Sequence, residues 1–383
     1  MAVSTGEHVL APVQQRGQAA LGRLGLPTRK QEAWRLTNLS RLEAVARMPV
    51  NGVATASDAP PCLDGVVRLV LDGVNDPLEG VTLPEGLTPL EPKELELALG
   101  HTLDRCGSSD DWLVEFNHAS AQQLLALRVR GTVPPLEITM AAASGLIPTR
   151  VLLVVEEKAQ LELLQVFSGR GEAAHSHLME VHLGQEAQLN HGVLACADGV
   201  AALFAQLAVE QEPRSTYNFT SVVQGWSLGR IEPRVVQVDG QASTTLKGLA
   251  VADLEQQLAV HTWVCFEGPD GELDQLQKCL AAGRSHTIFN GAINVPRKAQ
   301  RTNAAQLSRN LLLSDRARVD TKPELEIVAD DVRCAHGATV SQLQEDELFY
   351  LRSRGIGASD AAALLLRGAC PVSYTHLTLP TSV

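Results

Sequence analysis

The sequence predicts a mainly β protein whose core is a parallel β-helix, flanked by a helical N-terminal region and a helical C-terminal domain. Across residues 124–338, short runs alternate apolar and polar side chains between glycine-rich and acidic turns, and no helix of normal length intervenes. A turn followed by a small residue also recurs at spacings of 28, 28 and 27 residues, at Ala159, Ala187, Ser215 and Ala242. Such a period fits one coil of a β-helix or one hairpin pair of a sandwich. Because Asn-Gly and Asp-Gly hairpin signals are sparse and out of phase, the pattern favours the β-helix.

The flanking segments have a different character. Residues 1–123 are predicted to form a helical or mixed region. Amphipathic patterns extend up to residue 48, and a further helix is predicted near 91–105. Within this region, 49–65 is a linker rich in proline and small residues, and 66–73 predicts a short strand. Residues 339–370 return to a helical pattern. We therefore expect three units along the chain, with the β-helix in the middle.

The last thirteen residues, PVSYTHLTLPTSV at 371–383, differ from the rest of the chain. They contain no Asp, Glu, Lys or Arg, and they interrupt a strongly helical Ala/Leu run with a proline. The string also resembles the translation of a sequencing adapter. We expect this segment to be non-native and the C-terminal helical domain to be truncated.

Composition excludes several classes of function. A net charge of −12 argues against a general nucleic-acid binder, which needs excess Lys and Arg. No apolar run reaches the length of about 20 residues that spans a membrane. Seven cysteines without a CxxC pair suit a reducing compartment, so we expect the cytoplasm or a plastid stroma. Because the chain lacks GxxxxGK[ST], it has no nucleotide site of the phosphate-loop type, and HExxH is also absent.

The densest group of histidines is His175, His177, His182 and His191. On a strand, the H-x-H pair places both rings on one face, which suits a metal site in a cupin-like barrel. Glu180, however, falls on the opposite face, and the second half of a cupin signature is absent. We expect exposed strand histidines here and retain His175 and His177 as an alternative metal site.

A second candidate site lies near the end of the predicted β-helix. Six basic residues fall within 297–318, and the alternating run PELEIVADDV then leads to Cys334 and His336. Their spacing directs thiol and imidazole to the same face of a strand. This pair suits iron, an iron–sulfur fragment, zinc or copper(I). Since two ligands cannot saturate a metal, a functional site needs a partner chain; otherwise these are a buried cysteine and a turn histidine.

Two blocks of sequence carry a resemblance to a known family. FNGAINVPRKAQRTNAAQLSRNLLLSDRARVDTKPELEIVADDVRCAHGAT and the following LFYLRSRGI resemble the core of the SufB/SufD family of iron–sulfur cluster assembly proteins. PTRKQEAWRLTNL resembles the opening motif of that family, and its placement favours the SufD branch. The resemblance covers about residues 20–370. It implies a right-handed parallel β-helix between helical N-terminal and C-terminal regions.

The resemblance also implies partners and a site. It implies a hetero-oligomer with SufB and with the ATPase SufC, and a separate ATPase subunit explains the missing phosphate loop. It also implies that SufC docks on the C-terminal helices, of which 341–368 remain. The family's C-[SA]-H-G-A-T histidine maps onto His336, with Cys334 as its neighbour. The resemblance places this histidine at the SufB interface, where a transient iron–sulfur cluster is shared and His336 is a candidate iron ligand.

We therefore expect a non-enzymatic scaffold subunit. Two other classes of function remain open at this point. One is a stand-alone β-helix or cupin-like metal-dependent enzyme, and the other is a structural oligomerisation module.

Overall fold

A parallel β-solenoid of about eight turns forms the centre of the chain in the computed structural model, which describes residues 5–50, 52, 65–343 and 345–370. Strands account for 47% of the structure, and helices lie at both ends, so the predicted fold class is confirmed. The predicted tail at 371–383 and most of the predicted linker at 49–65 lie outside the described residues.

The solenoid consists of two nine-stranded sheets, to which successive strands contribute alternately. The strands of sheet I, in spatial order, are β1 (Val67–Val70), β4 (Leu136–Ala142), β6 (Gln160–Gly169), β8 (Gln188–Ala197), β10 (Thr216–Gln224), β12 (Ser243–Ala252), β14 (Glu272–Ala281), β16 (Asn303–Leu312) and β18 (Arg333–Gln342). The strands of sheet II are β2 (Leu87–Pro89), β3 (Leu124–Val129), β5 (Gly145–Val155), β7 (Ala173–Leu183), β9 (Ala202–Gln211), β11 (Leu228–Gln237), β13 (Gln257–Phe266), β15 (His286–Val295) and β17 (Arg318–Ile327). Neighbours pair in parallel, apart from the antiparallel β2–β3 pair.

The predicted repeat of small residues marks one corner of each coil. All four small residues are almost fully buried, and the residue before each has a positive φ between 57° and 61°; these four turn residues are Lys158, Glu186, Arg214 and Gln241. Backbone hydrogen bonds then join successive coils, for example from Thr216 N–H to the Ala187 carbonyl at 2.8 Å. A small side chain fits here because the neighbouring coil lies directly above it.

Side chains that point between the two sheets form the main core. Leucine, valine and alanine fill most of it, and Phe167, Phe289 and Trp226 add bulk. Polar side chains also lie in this interior, where they hydrogen-bond to one another. The interior is therefore packed and partly polar, with no need for large aromatic clusters.

Helices cover the outer face of sheet II. They are α1 (Thr5–Leu24), α2 (Leu39–Ala46), α3 (Pro92–Ala98), α4 (His101–Arg105) and α5 (Trp112–Ser120), with a 3-10 turn at Glu32–Trp34. Trp34, Trp112 and Phe116 pack against sheet side chains such as Phe204 and Leu228. Helices α1 to α4 and strand β1 lie in segments for which the sequence predicts helices and a strand, whereas α5 was not predicted.

Two further helices follow the solenoid, α6 (Glu345–Ser353) and α7 (Ala358–Ala369). The last strand reaches Gln342, so the solenoid continues past the predicted boundary at residue 338. Lys278 of β14 donates to the Ala369 carbonyl at 2.7 Å, which fixes the end of α7 beside sheet I. Among the described residues, no helix is long and apolar enough to cross a membrane.

Candidate functional site

The last coil of the solenoid is open. β17 pairs only with β15, and β18 pairs only with β16, so the other edge of each strand has no strand partner within the described ranges. Inward-facing side chains of this coil are correspondingly exposed, with Ile327 at 40% and Val340 at 49%. We call this surface, the free edges of β17 and β18 with their inward side chains, the open end. Free strand edges beside exposed apolar side chains are typical of surfaces that another chain covers.

Cys334 and His336 both lie at the open end. In the register of β16 and β18, Cys334 pairs with Ala304 and His336 with Gln306. Ala304 and Gln306 are only 1% and 2% exposed. Since paired residues of parallel strands point the same way, Cys334 and His336 both face the inside of the solenoid. The structure thus brings the thiol and the imidazole to one face of one strand.

The turn before β18 fixes this placement. The Arg333 N–H donates to the Thr302 carbonyl at 2.8 Å, and the Asp331 N–H donates to Gln300 Oε1 at 2.9 Å. These contacts set the register from the first residue of the strand. Sequence alone does not identify Gln306 as a neighbour of His336, because their pairing depends on the length of the coil between them.

The two candidate ligands differ in burial. Cys334 is half-buried and packs against the core, whereas His336 is exposed. Burial raises the pKa of the Cys334 thiol, although a backbone hydrogen bond at Ala304 partly opposes the shift. The thiol is therefore protonated at neutral pH and would lose its proton on binding a metal.

Three of the six basic residues within 297–318 lie beside acidic partners. Arg301 binds Asp270, and Arg318 binds Asp320, with 2.6 Å between nitrogen and oxygen in each pair. Lys298 lies 3.9 Å from Glu267. Acidic partners therefore neutralise part of this stretch.

The expectation of exposed strand histidines is wrong for His175 and His177 of β7. His175 and His177 are 0% and 2% exposed and face the interior, between the two sheets. Burial lowers the pKa of His175 to about 4 and that of His177 to about 3. Period-2 alternation predicted the shared face but could not show which face was covered. Glu180, as expected, lies on the opposite face, where it binds Arg150.

Hydrogen bonds occupy the ring nitrogens of His177 and of the nearby His191. Thr149 and Gln165 bind the two nitrogens of His177 at 2.8 and 2.9 Å. Gln165 also binds His191 at 2.9 Å, and Tyr217 binds the other nitrogen of His191 at 3.0 Å. This buried chain ties three coils together and leaves these two rings without a free nitrogen for a metal.

No group of three or more His, Cys, Asp or Glu side chains in the described part of the chain is arranged to hold a metal ion. At the open end, Cys334 and His336 supply two ligands of types that bind iron. Further ligands would have to come from outside these residues, which agrees with the open geometry.

Comparison with known proteins gives the family. Residues 138–369 match the family model described as SUF system FeS cluster assembly, SufBD core domain. The chain belongs to the SufB/SufD family. The match covers the solenoid from β4 onward together with α6 and α7, so it includes both residues of the candidate site. Members of this family are iron–sulfur cluster assembly proteins. The family that the sequence resembles is therefore confirmed.

Relatives of this SufBD-family chain extend the similarity to the N-terminal region. It is 30% identical to an iron–sulfur cluster assembly SufBD family protein of Synechocystis, over 96% of this chain and 87% of the relative. It is 32% identical to the chloroplastic protein ABCI7 of Arabidopsis thaliana, over 89% of this chain and 77% of the relative. The iron–sulfur cluster assembly protein SufD of Escherichia coli is 29% identical, over 93% of this chain and 86% of that protein.

Proposed function

We propose that this chain is a SufD-type scaffold subunit of a complex with SufB-type and SufC-type proteins, in which iron–sulfur clusters are assembled. The observation that carries the proposal is the open end, where Cys334 and His336 face inward and no further coil of the described residues covers them. On this proposal the chain itself catalyses no reaction. Its imidazole and thiol hold part of a transient cluster, which is the cargo of the complex.

The SufB-type partner would dock on the open end. Its strands would pair with the free edges of β17 and β18, and its side chains would cover Ile327 and Val340. The nascent cluster would then lie between the chains, with ligands from both. An interface site explains why the described residues supply only two suitable ligands at this place.

The SufC-type partner would supply ATP hydrolysis and dock on α6 and α7. Phe349 and Tyr350 of α6 are 73% and 58% exposed, which is unusual for adjacent aromatic side chains on a short helix. A partner that covers them would gain apolar contact area next to the open end. Nucleotide-driven movement of that partner could then be transmitted through α6 to β18.

The other two functional classes have less support. A stand-alone metal-dependent enzyme would need the His175 and His177 pair, whose rings are buried in the core, with both nitrogens of His177 and Nε2 of His175 hydrogen-bonded. A plain oligomerisation module would not need an imidazole and a thiol at its docking surface. Relatives in a bacterium and a chloroplast fit a cytoplasmic or plastid location for the assembly.

The test is His336→Ala in the complex co-expressed with its SufB-type and SufC-type partners and purified without oxygen. We expect at least tenfold less bound iron and sulfide per complex, with an unchanged subunit ratio. Thr339→Ala is the matched control, since Thr339 is exposed on the outward face of the same strand. Normal cluster loading in His336→Ala would refute the proposed function.

A further inference from the structure

A ladder of polar side chains crosses the interior of the solenoid beneath the open end. The Gln275 Nε2 donates to Thr262 Oγ1 at 2.7 Å, and the Gln306 Nε2 donates to Gln275 Oε1 at 2.8 Å. All three side chains belong to residues that are at most 5% exposed. The ladder therefore has a direction, because each amide donates to the group of the preceding rung.

The last rung of this ladder is incomplete. Gln306 Oε1 is buried and has no hydrogen-bond partner among the described residues. A buried carbonyl oxygen without a donor is unfavourable, and native structures contain few of them. The ladder thus ends in an acceptor that requires an N–H or O–H group from the next coil.

The residue in the next coil is His336. Its Cα pairs with that of Gln306, so the two side chains point the same way on neighbouring strands about 4.8 Å apart. Gly291 of β15 leaves the space that Gln306 occupies, because a Cβ at Gly291 would lie 2.4 Å from Gln306 Nε2. Gln306 Nε2 is therefore held between Gln275 and the opposite sheet, while Gln306 Oε1 has no donor among the described residues.

We propose that Gln306 is the positioning residue for His336. Gln306 Oε1 accepts a hydrogen bond from one ring N–H of His336, which selects one tautomer and fixes the plane of the imidazole. The lone pair of the opposite ring nitrogen is then presented at the open end. Metal-binding histidines commonly use their second ring nitrogen in this way. The consequence for cluster binding rests on the proposed function, whereas the hydrogen bond itself does not.

The hydrogen bond can be tested on the full chain by NMR with ¹⁵N-labelled histidine, using His336→Ala to assign the His336 signal. We expect one tautomer and a ring proton that exchanges with water at least tenfold more slowly than in Gln306→Leu. Gln277→Leu is the matched control, because Gln277 is buried on β14 but lies in the row of Ser308 rather than His336. It should leave the His336 signal unchanged.

A second variant tests the direction of the bond. In Gln306→Glu the carboxylate can only accept, so the slow-exchanging ring proton should be retained. Loss of that proton in Gln306→Glu would overturn the assignment of Gln306 as the acceptor. An unchanged tautomer and exchange rate in Gln306→Leu would overturn the proposal altogether. Circular dichroism of each variant shows whether the solenoid is intact.

The functional consequence is measured on the co-expressed complex. Gln306→Leu should lower cluster content at least threefold, and the double variant with His336→Ala should lose no more than His336→Ala alone, since both changes act through one ring. Additive losses would contradict the positioning role. If His336→Ala does not alter cluster content, the proposed function fails, and the NMR result still decides whether Gln306 orients the ring.

Discussion

Arg150 and Glu180 form an ion pair in which each side chain is only 2% exposed, with 3.3 Å between Nη2 and Oε1. The pair lies on the outer face of sheet II, beneath the helices. Both Glu180 oxygens also accept from the Gly100 N–H, at 3.1 and 2.9 Å, where Gly100 precedes α4. Burial opposes the charge on each partner, as it lowers the pKa of Arg150 and raises that of Glu180. The carboxylate therefore links the solenoid to its helical cover.

The first prediction concerns this pair. Glu180→Gln should destabilise the chain by about 3–5 kcal/mol, because it leaves the Arg150 charge buried and unpaired. The double variant Arg150→Met, Glu180→Leu should be less destabilised than either single variant. Urea denaturation of the full chain measures the difference. As a control, Arg47→Ala removes an exposed pair with Glu43 on α2 and should cost less than about 0.5 kcal/mol. An equal loss of unfolding free energy in Glu180→Gln and Arg47→Ala would contradict the argument that burial makes the first pair important.

The second prediction concerns acid stability. Burial lowers the pKa of His175 to about 4 and the pKa values of His177 and His191 to about 3. In the unfolded chain, histidine has a pKa of about 6.5. Between about pH 6.5 and about pH 4, the unfolded chain therefore binds more protons than the folded chain. Stability should fall as pH drops through this window, by on the order of 2 kcal/mol per buried histidine at pH 5.

Denaturation at pH 8, 6.5 and 5 measures this loss. His177→Gln keeps a side chain that can hydrogen-bond to Thr149 and Gln165 but cannot take up a proton, so its stability should depend less steeply on pH. His191→Gln provides an independent second test. A pH dependence equal to that of the unmodified chain in both variants would show that these rings do not govern acid stability.

The solenoid was predictable because its signal is local. Each coil needs a turn residue with positive φ followed by a small buried residue, and this pair recurs in the sequence at nearly constant spacing. The environment of His175 and His177 was not predictable from alternation. Strand β7 is buried on both faces, since helices cover the outside and the core fills the inside, so alternation no longer separates solvent from interior.

The candidate site was also predictable only in part. The two-residue spacing of Cys334 and His336 was enough to place both side chains on one face of a strand. The neighbour Gln306, in contrast, lies 30 residues earlier and meets His336 only through the register of β16 and β18. Because the length of a coil varies by one or two residues, the residue that pairs with His336 on the neighbouring strand cannot be identified from sequence alone.

The third prediction compares two glycines of α1. A Cβ at Gly17 would lie 2.4 Å from the Ala119 backbone nitrogen and 2.6 Å from His118 Cβ of α5, whereas a Cβ at Gly22 would meet nothing within 4 Å. Gly17→Ala should therefore force α1 away from α5 and cost about 1–3 kcal/mol. Gly22→Ala should stabilise the helix by about 0.5–1 kcal/mol. Thermal denaturation of both variants gives the comparison, and a stabilising Gly17→Ala would contradict the close packing of these helices.

The fourth prediction concerns the open end as a partner surface. Val340 faces inward on β18 yet is 49% exposed, so an aspartate there keeps access to water in the isolated chain but would be buried by a docked partner. Val340→Asp should leave the thermal midpoint of the isolated chain nearly unchanged and reduce co-purification of the SufB-type protein at least tenfold, because burying an unpaired charge opposes docking.

Val200→Asp serves as the control for that variant. Val200 is 54% exposed and lies in the turn before β9, several coils away from the open end. The same substitution at this position should leave partner binding unchanged. If Val340→Asp binds the SufB-type protein normally, the partner docks elsewhere, and Cys334 and His336 would lose the second set of ligands that an interface provides. If both variants lose binding equally, the effect arises from added charge rather than from the open end.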